Sequence, residues 1–162
     1  MLRFETRDPA ATRRALRARL HRDGPPLRVP GAVSPLVAKA VEDAGFDGVY
    51  LSGGALSADL GMPDVGLTTL SEVADRAGRL ATATTLPVIV DADTGFGEAL
   101  NAARTVQELE RAGVAGCHLE DQENPKRCGH LGGKRVVGAQ LMEQKLRAAA
   151  AARQDDGFLL IA

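Results

Sequence analysis

Three carboxylate residues stand where the chain could hold a metal ion. Asp91 and Asp93 follow an apolar run, and Glu120 follows the next such run. Side chains two residues apart on an extended strand point to the same side, so Asp91 and Asp93 are expected to project together. Oxygen donors with room for water suit Mg²⁺, with Mn²⁺ as the alternative, better than Zn²⁺. The pattern also leaves open that Asp91 caps a helix or accepts hydrogen bonds from loop amides.

A second group of residues could supply a proton. Residues 126–130 read Lys-Arg-Cys-Gly-His, and the two cations and the histidine favour the thiolate form of Cys128. Such a thiol can act as a general acid or base, and Gly129 with Gly132-Gly133 predicts a mobile loop that closes over a ligand. The alternative is an exposed basic loop with an incidental cysteine. Cys117 lies within an apolar run and is predicted to be a packed core thiol.

Glycines follow an earlier apolar run, in the segment Ser52-Gly53-Gly54. Backbone amides in a glycine-rich turn between a strand and a helix can bind an anion, although the same residues also fit a plain tight turn. Their spacing differs from G-x-G-x-x-G, so the segment does not predict a dinucleotide site. His21 is predicted to lie at the surface and His118 to pack on a strand, and neither is predicted to bind metal.

Apolar runs that alternate with helical segments must position these groups. Capping signals predict a helix that begins at Ser34-Pro35 and ends at Gly45, and helices at residues 69–83, 101–112 and 140–153. The apolar runs predict five strands, at residues 27–29, 49–51, 87–90, 116–119 and 158–161. Apolar strands alternating with helices are typical of a parallel sheet covered on both faces. The polar segments follow the carboxyl ends of these strands, where parallel α/β folds assemble their sites.

The predicted fold is therefore α/β, of the (β/α)₈ TIM-type barrel lineage, truncated to about five parallel strands. We divide the chain into an N-terminal helical lead-in at residues 1–26 and a partial barrel at residues 27–162. Because a complete barrel needs about 250 residues, a five-stranded open sheet is the alternative. Residues 1–27 carry seven Arg, three acidic residues and no Ser, which favours an amphipathic helix over a transit peptide.

Composition excludes several classes of function. The formal net charge of −1 provides no basic field for a nucleic-acid backbone, and one Tyr, four Phe and no Trp provide few stacking surfaces. No apolar run approaches the roughly 20 residues that span a bilayer. Two cysteines without framework spacing indicate free thiols in a reducing compartment. We therefore predict a cytoplasmic protein that acts on a small molecule and binds neither nucleic acid nor membrane.

Five segments occur in an order that resembles a known superfamily. They are Tyr50-Leu51-Ser52-Gly53-Gly54, Leu60-Gly61-Met62-Pro63-Asp64, Asp91-Ala92-Asp93-Thr94-Gly95-Phe96-Gly97, His118-Leu119-Glu120-Asp121-Gln122 and Lys126-Arg127-Cys128-Gly129-His130. From about Pro30 onward the chain resembles the isocitrate lyase and phosphoenolpyruvate mutase superfamily, and most closely the bacterial 2-methylisocitrate lyases. The cysteine segment resembles that of the carbon–carbon lyases rather than that of the phosphonate mutases.

This resemblance implies an Mg²⁺-dependent lyase that cleaves 2-methylisocitrate to pyruvate and succinate, in the methylcitrate route of propionate breakdown. It implies that Asp91 and Asp93 hold the metal, with Glu120 and Asp64 in the surrounding shell of carboxylates and water. Cys128 matches the general acid that protonates the succinate carbanion. The implied substrate contacts are Tyr50, Ser52, Gly53, Gly54, Cys128, Gly129 and His130.

The resemblance also implies structure that follows residue 162 in family members. They continue with Arg-Thr-Asp and three further βα units, which supply groups that hold the substrate carboxylates and helices used in assembling a homo-oligomer, a tetramer. We therefore expect the 162-residue chain alone to be catalytically impaired, because half of a site cannot position a transition state. The alternatives are an isocitrate lyase, an oxaloacetate hydrolase, a dimethylmalate lyase, or a non-catalytic fragment that associates with a full-length relative.

Overall fold

The computed structural model describes residues 7–162, which form four β-strands and six α-helices. The strands are β1 (Val49–Leu51), β2 (Val88–Asp91), β3 (Gly116–His118) and β4 (Leu159–Ile161). The helices are α1 (Pro9–Leu20), α2 (Pro35–Asp43), α3 (Gly53–Asp59), α4 (Leu70–Ala83), α5 (Ala99–Arg111) and α6 (Ala139–Ala152). None of the helices within residues 7–162 has both the length and the apolar character needed to cross a bilayer.

The strands form one sheet in chain order, β1-β2-β3-β4, and each neighbouring pair is parallel. Val49, Val88 and Val90 are fully buried, because branched apolar side chains on these strands pack under the surrounding helices. In a β/α barrel, each helical connection leads to the next strand of the sheet, and the strands of this chain follow that order. The structure thus confirms the predicted α/β class and the order of its parallel strands.

The predicted strand at residues 27–29 is wrong. Among residues 7–162, the sheet extends beyond β1 through a single bridge between Gly31 and Tyr50, flanked by a 2.9 Å hydrogen bond from the Tyr50 N–H to the Pro30 carbonyl. Pro30 has no N–H to donate to a ladder. The Arg28 N–H donates to the Asp47 carboxylate at 2.9 Å instead of to a strand. The part of the chain that the structure describes therefore has four strands where the sequence predicted five.

Local capping explains where most helices begin. The Ser34 hydroxyl accepts from the Val37 N–H ahead of α2, and Thr69 and Glu72 form a reciprocal capping box at the start of α4. Both starts match the predictions. Helices α5 and α6 begin two residues and one residue earlier than predicted, at Ala99 and Ala139, which is within the usual fraying of helix ends.

Helix α3 was missed by the sequence analysis. It starts at Gly53-Gly54, and paired glycines indicate a turn rather than a helix because glycine is a poor helix former. The Ser52 hydroxyl accepts from the Ala55 N–H at 3.3 Å, and Leu56 is almost fully buried. The cap and the burial of Leu56 therefore stabilise a helix that its first two residues do not favour.

Helix α1 is the predicted lead-in helix, and it packs at the amino ends of β3 and β4. Leu16 is buried, but Leu20 is exposed, so these two leucines do not form the buried face that their spacing predicts. The buried cation Arg13 provides the main polar contact: its Nε donates to the Val114 carbonyl at 2.9 Å, and Nη1 lies 3.2 Å from the Asp155 carboxylate. Residues 1–6 of the predicted lead-in lie outside the described residues, and the boundary at residue 26 stays a prediction.

Candidate active site

The candidate site lies at the carboxyl ends of the first three strands. Ser52 follows β1, Asp91 ends β2, and Glu120 comes two residues after β3. Because these strands are neighbours and parallel, the segments that follow them meet at one edge of the sheet. The structure therefore brings the predicted carboxylates and the glycine segment to the same end of the fold.

Asp91 and Asp93 flank Gly53, but not in the extended geometry that their spacing predicts. Asp93 has a φ of 46°, a left-handed conformation, and its N–H donates to Asp91 Oδ1 at 3.1 Å. The Gly53 N–H donates to Asp91 Oδ2 at 3.2 Å. A β-carbon at Gly53 would lie 3.1 Å from Asp91 Oδ2 and 3.2 Å from Asp93 Oδ1. The two carboxylates thus converge through a tight turn, and the glycine leaves the space between them open.

Lys126 is the cation of this site, and the sequence analysis did not assign it a contact. Its Nζ lies 2.6 Å from Asp93 Oδ1 and pairs with the Asp64 carboxylate, and the side chain is almost completely buried. Burial alone would lower the pKa of Lys126, but the bonds to Asp64 and Asp93 outweigh burial and raise it. The ammonium therefore stays charged and holds two carboxylates together.

Asp93 is the most perturbed carboxylate of the site. Burial raises its pKa to about 6, with further upward effects of Asp91 and Asp64, and the bond from Lys126 only partly offsets this rise. Asp93 Oδ1 is buried and, although it is ion-paired with Lys126, it accepts no hydrogen bond of good geometry. One oxygen of this buried carboxylate thus lacks a well-aligned hydrogen bond. Such an oxygen is rare in folded proteins, and it is typical of functional positions.

Glu120 does not join Asp91 and Asp93 as a third ligand in this structure. Its Oε2 accepts from the Gln122 side-chain amide at 2.9 Å, and its backbone N–H donates to the Asp93 carbonyl at 2.8 Å. Within residues 7–162 no three His, Cys, Asp or Glu side chains are spaced to hold one metal ion. The expected convergence of Asp91, Asp93 and Glu120 is therefore not seen among the described residues, where Glu120 is paired with Gln122.

Tyr50 lies near the carboxylates of the site. Burial, with the charges of Asp91, Asp93 and Glu120, raises the pKa of Tyr50 to about 12. The hydroxyl lies 3.3 Å from His118 Nδ1, and the two rings are 5.4 Å apart between centroids. His118 is therefore held by a site residue as well as by its strand, a contact that the sequence analysis did not foresee.

The thiol segment, residues 126–130, contacts the carboxylate residues through Asp64. The Cys128 N–H donates to the Asp64 carbonyl at 3.0 Å, while the Asp64 carboxylate pairs with Lys126. Cys128 is half-buried, and its Sγ lies 3.6 Å from His130 Nδ1. Cys117 is fully buried, and burial raises the pKa of its thiol to about 12, which confirms it as a core residue.

The segment Ser52-Gly53-Gly54 is only partly available to an anion. The Ser52 hydroxyl accepts from Ala55, and the Gly53 N–H donates to Asp91. A β-carbon at Gly54 would lie 3.0 Å from Asp64 Oδ2, so this glycine permits the close approach of Asp64. The structure thus shows these residues packed against the carboxylates, and their contact with a substrate stays a prediction, as it does for Gly129 and His130.

A cavity of about 580 Å³ opens beside the Asp93–Lys126 pair. Its wall combines those two side chains with hydroxyl, amide and guanidinium groups, among them Thr68, Thr94, Asn101, Arg104 and Asn124. The volume is within the usual range of small-molecule sites. This cavity was not predicted, because its lining comes from loops and helix ends that are far apart along the chain.

Asp91 and Asp93 fit a divalent cation that keeps part of its water shell. Both are carboxylates, one oxygen of Asp93 lacks a well-aligned partner, and Gly53 keeps side-chain atoms out of the space between them. Mg²⁺ is usually bound by one or two carboxylates together with water, so a third protein ligand is not required. The chemistry of the donors agrees with the metal that the sequence predicted.

Comparison with known proteins identifies the family of the chain. The sequence profile of the phosphoenolpyruvate phosphomutase family matches residues 16–162. The chain is 59% identical over 155 residues to the probable 2-methylisocitrate lyase 2 of Corynebacterium glutamicum, and the match covers 95% of this chain and 50% of that protein. The chain thus spans about half the length of the curated relatives that it matches.

Solved structures give the same result. An oxaloacetate acetylhydrolase in complex with the inhibitor 3,3-difluorooxalacetate has a TM-score of 0.87 and 36% identity, covering 94% of this chain and 53% of that chain. A phosphonopyruvate hydrolase in complex with oxalate and Mg²⁺ has a TM-score of 0.83 and 36% identity, covering 92% of this chain and 50% of that chain. The profile match, the relatives and the fold confirm the predicted superfamily, and the chain belongs to the phosphoenolpyruvate phosphomutase family.

Proposed function

We propose that this chain carries the metal- and thiol-bearing part of a lyase that cleaves 2-methylisocitrate to pyruvate and succinate. The observation that carries the proposal is the double attachment of Asp64. Its carboxylate pairs with Lys126, and its carbonyl accepts from the Cys128 N–H. This attachment ties the backbone of Cys128 to the residue that shares Lys126 with Asp93. A metal-assisted carbon–carbon cleavage needs a proton donor and a metal at one site.

The residues have distinct roles in this proposal. Asp91 and Asp93 would hold a divalent cation, which supplies a Lewis acid for the negative charge that develops on a keto-acid oxygen. Cys128 gives its proton to the carbanion of the leaving succinate, and His130, 3.6 Å from the sulfur, is placed to stabilise the resulting thiolate. Lys126 keeps a positive charge beside Asp93. Ser52, Gly53, Gly54, Tyr50 and Gly129 would contact the substrate.

Similarity supports 2-methylisocitrate as the substrate. We propose that the reaction belongs to propionate breakdown in the cytoplasm. The 59% identity to a probable 2-methylisocitrate lyase covers nearly all of this chain, whereas the oxaloacetate acetylhydrolase shares 36%. The second candidate is cleavage of oxaloacetate, and the TM-score of 0.87 to that hydrolase favours it. Isocitrate differs from 2-methylisocitrate by one methyl group, and discrimination of a methyl group is worth only about 1–3 kcal/mol. Dimethylmalate lacks one of the carboxylates of 2-methylisocitrate. All four compounds therefore belong in the test.

The test measures pyruvate released from 2-methylisocitrate, with Mg²⁺ or with EDTA. It uses two proteins: the 162-residue chain, and a chimera in which this chain replaces the matching half of the C. glutamicum relative. We expect the chimera to release pyruvate only with Mg²⁺, and the Cys128→Ser chimera to be inactive while Cys117→Ser retains activity. Isocitrate, dimethylmalate and oxaloacetate are assayed in parallel.

Two results would overturn the proposal. A folded chimera that releases no pyruvate from 2-methylisocitrate would show that this chain does not support the reaction. A chimera that cleaves oxaloacetate faster than 2-methylisocitrate would favour the second candidate. Activity of the 162-residue chain without the added half would confirm the proposal and contradict the expected impairment.

A further inference from the structure

Helix α6 buries a lysine where packing alone would favour an apolar residue. Lys145 is only 3% exposed, and the other buried residue of this helix is Ala149. Lysine is almost never fully buried without a partner, because moving an ammonium group out of water is costly. The position of Lys145 therefore requires a polar partner that compensates for this cost.

That partner is a backbone carbonyl next to a predicted metal ligand. Lys145 Nζ donates to the Thr94 carbonyl at 3.2 Å. Among residues 7–162, Lys145 takes part in none of the ion pairs. Thr94 directly follows Asp93, so the Lys145 ammonium contacts the turn that carries the Asp93 carboxylate.

This turn needs external support because of its backbone conformation. The Gly95 N–H donates to the Ala92 carbonyl at 2.8 Å and closes a tight turn, in which Asp93 has a φ of 46°. A residue with a side chain in the left-handed region costs about 1–3 kcal/mol, and it persists only where its surroundings over-determine it. The Asp93 carbonyl accepts from the Glu120 N–H at 2.8 Å, which fixes one side of Thr94.

Further contacts fix the other side. The Thr94 hydroxyl donates to Asn124 Oδ1 at 2.9 Å, and the Gly95 carbonyl accepts from the Thr105 hydroxyl at 3.0 Å. The Thr94 carbonyl lies between these two contacts, and Lys145 is its donor. A charged donor makes a stronger hydrogen bond than a neutral one at the same distance, so the Lys145 contact adds to the restraint on the turn.

We infer that Lys145 is a positioning residue for the metal site: through the Thr94 carbonyl, it holds the Asp93 turn in the conformation that directs the carboxylate toward Gly53. This inference rests on the proposed function, because the purpose of the positioned carboxylate is to bind a divalent cation. Lys145 does not touch the metal or the substrate in this assignment. Loss of a residue that orients a metal ligand typically lowers metal affinity by about 10–100-fold.

The test compares four forms of the 162-residue chain: wild type, Lys145→Met, Lys145→Arg and Lys39→Met. Methionine retains the length of the side chain and removes the donor, and arginine keeps a cationic donor. Lys39→Met makes the same chemical change at an exposed lysine on α2. Two quantities are measured: the Mn²⁺ dissociation constant by electron paramagnetic resonance, and hydrogen exchange of the Gly95 amide without metal.

We expect Lys145→Met to weaken Mn²⁺ binding by about 10-fold or more. We also expect the Gly95 amide to exchange faster by a similar factor, while the Ala115 amide, which donates to the Val88 carbonyl in the sheet, keeps its wild-type exchange rate. Lys145→Arg should restore most of both quantities, and Lys39→Met should change neither. If Lys145→Met does not fold, the comparison is made with Lys145→Gln, which keeps a neutral donor and is expected to lie between wild type and complete loss.

Three results would overturn the inference. The first is wild-type Mn²⁺ affinity and wild-type Gly95 exchange in Lys145→Met. The second is equally faster exchange at Gly95 and Ala115, which would assign Lys145 a role in global stability alone. The third is failure of Lys145→Arg to restore either quantity in a folded protein. A wild-type chain that binds no Mn²⁺ would contradict the metal of the proposed function, and Gly95 exchange would then decide the role of Lys145.

Discussion

The two ends of the sheet differ in how completely their buried charged side chains are paired. At the amino end, Arg13 directs its three donor groups to partners: Nε to the Val114 carbonyl, Nη2 to the Glu110 carbonyl and Nη1 to the Asp155 carboxylate. Glu110 in turn accepts from the Gln154 and Asp155 N–H groups, at 2.9 Å and 2.6 Å. The charges of Arg13, Glu110 and Asp155 are thus compensated within the fold.

At the carboxyl end the pairing of the buried charged groups is incomplete. Lys126 faces Asp64 and Asp93, with Asp91 nearby, and the buried Oδ1 of Asp93 lacks a well-aligned hydrogen bond. Strain is stored at this end as well, since Asp93 and Phe96 both have left-handed φ values. The comparison indicates that the amino end supplies stability, while the carboxyl end is arranged for a ligand from outside the chain.

The largest expected effect concerns the amino end. Arg13→Met removes the ion pair with Asp155 and the donors to the Val114 and Glu110 carbonyls. Loss of one partner of a buried ion pair costs about 3–5 kcal/mol. The free energy of unfolding, measured with urea, should fall by this amount. The neighbouring exposed Arg14→Met is the control and should change it by less than about 0.5 kcal/mol. If folded Arg13→Met also loses affinity for Mn²⁺, the two ends are not independent.

Asp93→Asn should have the opposite profile. Mn²⁺ affinity is expected to fall by more than the roughly 10–100-fold that is lost when a residue that only orients a metal ligand is removed. The free energy of unfolding should stay equal or rise, because a neutral amide replaces a buried carboxylate and Lys126 keeps its pair with Asp64. Calorimetric titration and urea unfolding of the same sample measure both quantities. A clear loss of stability would show that this end also supports the fold.

Gly53→Ala tests the space between the carboxylates. The added β-carbon would lie 3.1 Å and 3.2 Å from the two carboxylate oxygens, so these side chains must move by a few tenths of an ångström. We expect Mn²⁺ affinity to fall by about 10-fold, as when a ligand is misoriented. Gly132→Ala is the matched control, because no atom lies within 4 Å of its added carbon. Unchanged affinity in Gly53→Ala would place the cation elsewhere.

The smallest effect concerns acid stability at the amino end, at Glu42. Burial raises the pKa of this carboxyl, but hydrogen bonds from Thr85 and Lys39 outweigh burial and lower it to about 2. Its stabilisation is therefore complete above its ordinary pKa of 4.5 and is lost as the pH falls toward 2. Thermal melts of wild type and Glu42→Gln should differ at pH 6 and converge near pH 2. A difference that persists at pH 2 would contradict this assignment.

Local signals explain which parts of the fold the sequence predicts correctly. The starts of α2 and α4 depend on the side chains of Ser34, Thr69 and Glu72, all within a few residues of the helix they cap. The strands follow from short apolar runs, and their parallel order follows from the helices between them. The Asp91–Asp93 pair was predicted as a site for the same reason, because polar residues after a buried strand are a local pattern.

Contacts between distant residues explain most of what the sequence does not predict. Lys126 pairs with Asp64 from 62 positions away, and Lys145 reaches Thr94 across 51 positions. Their partners are set by packing, which a pattern in one segment does not contain. The geometry of Asp93 was mispredicted for a different reason: its left-handed φ replaces the assumed extended strand. Helix α3 was missed because its cap and its burial outweigh two glycines.

The loop at residues 122–136, which contains the thiol segment, has its two ends joined by backbone contacts. Gln122 and Val136 form an antiparallel bridge, and the Glu123 N–H donates to the Arg135 carbonyl at 2.9 Å. Tying the ends of a loop together restricts the volume that its tip can explore, so the loss of entropy is incurred on folding and not during each reaction. The sulfur of Cys128 should therefore explore a smaller volume than it would in an open loop, and lengthening the closed loop with glycines at Gly132-Gly133 would enlarge that volume.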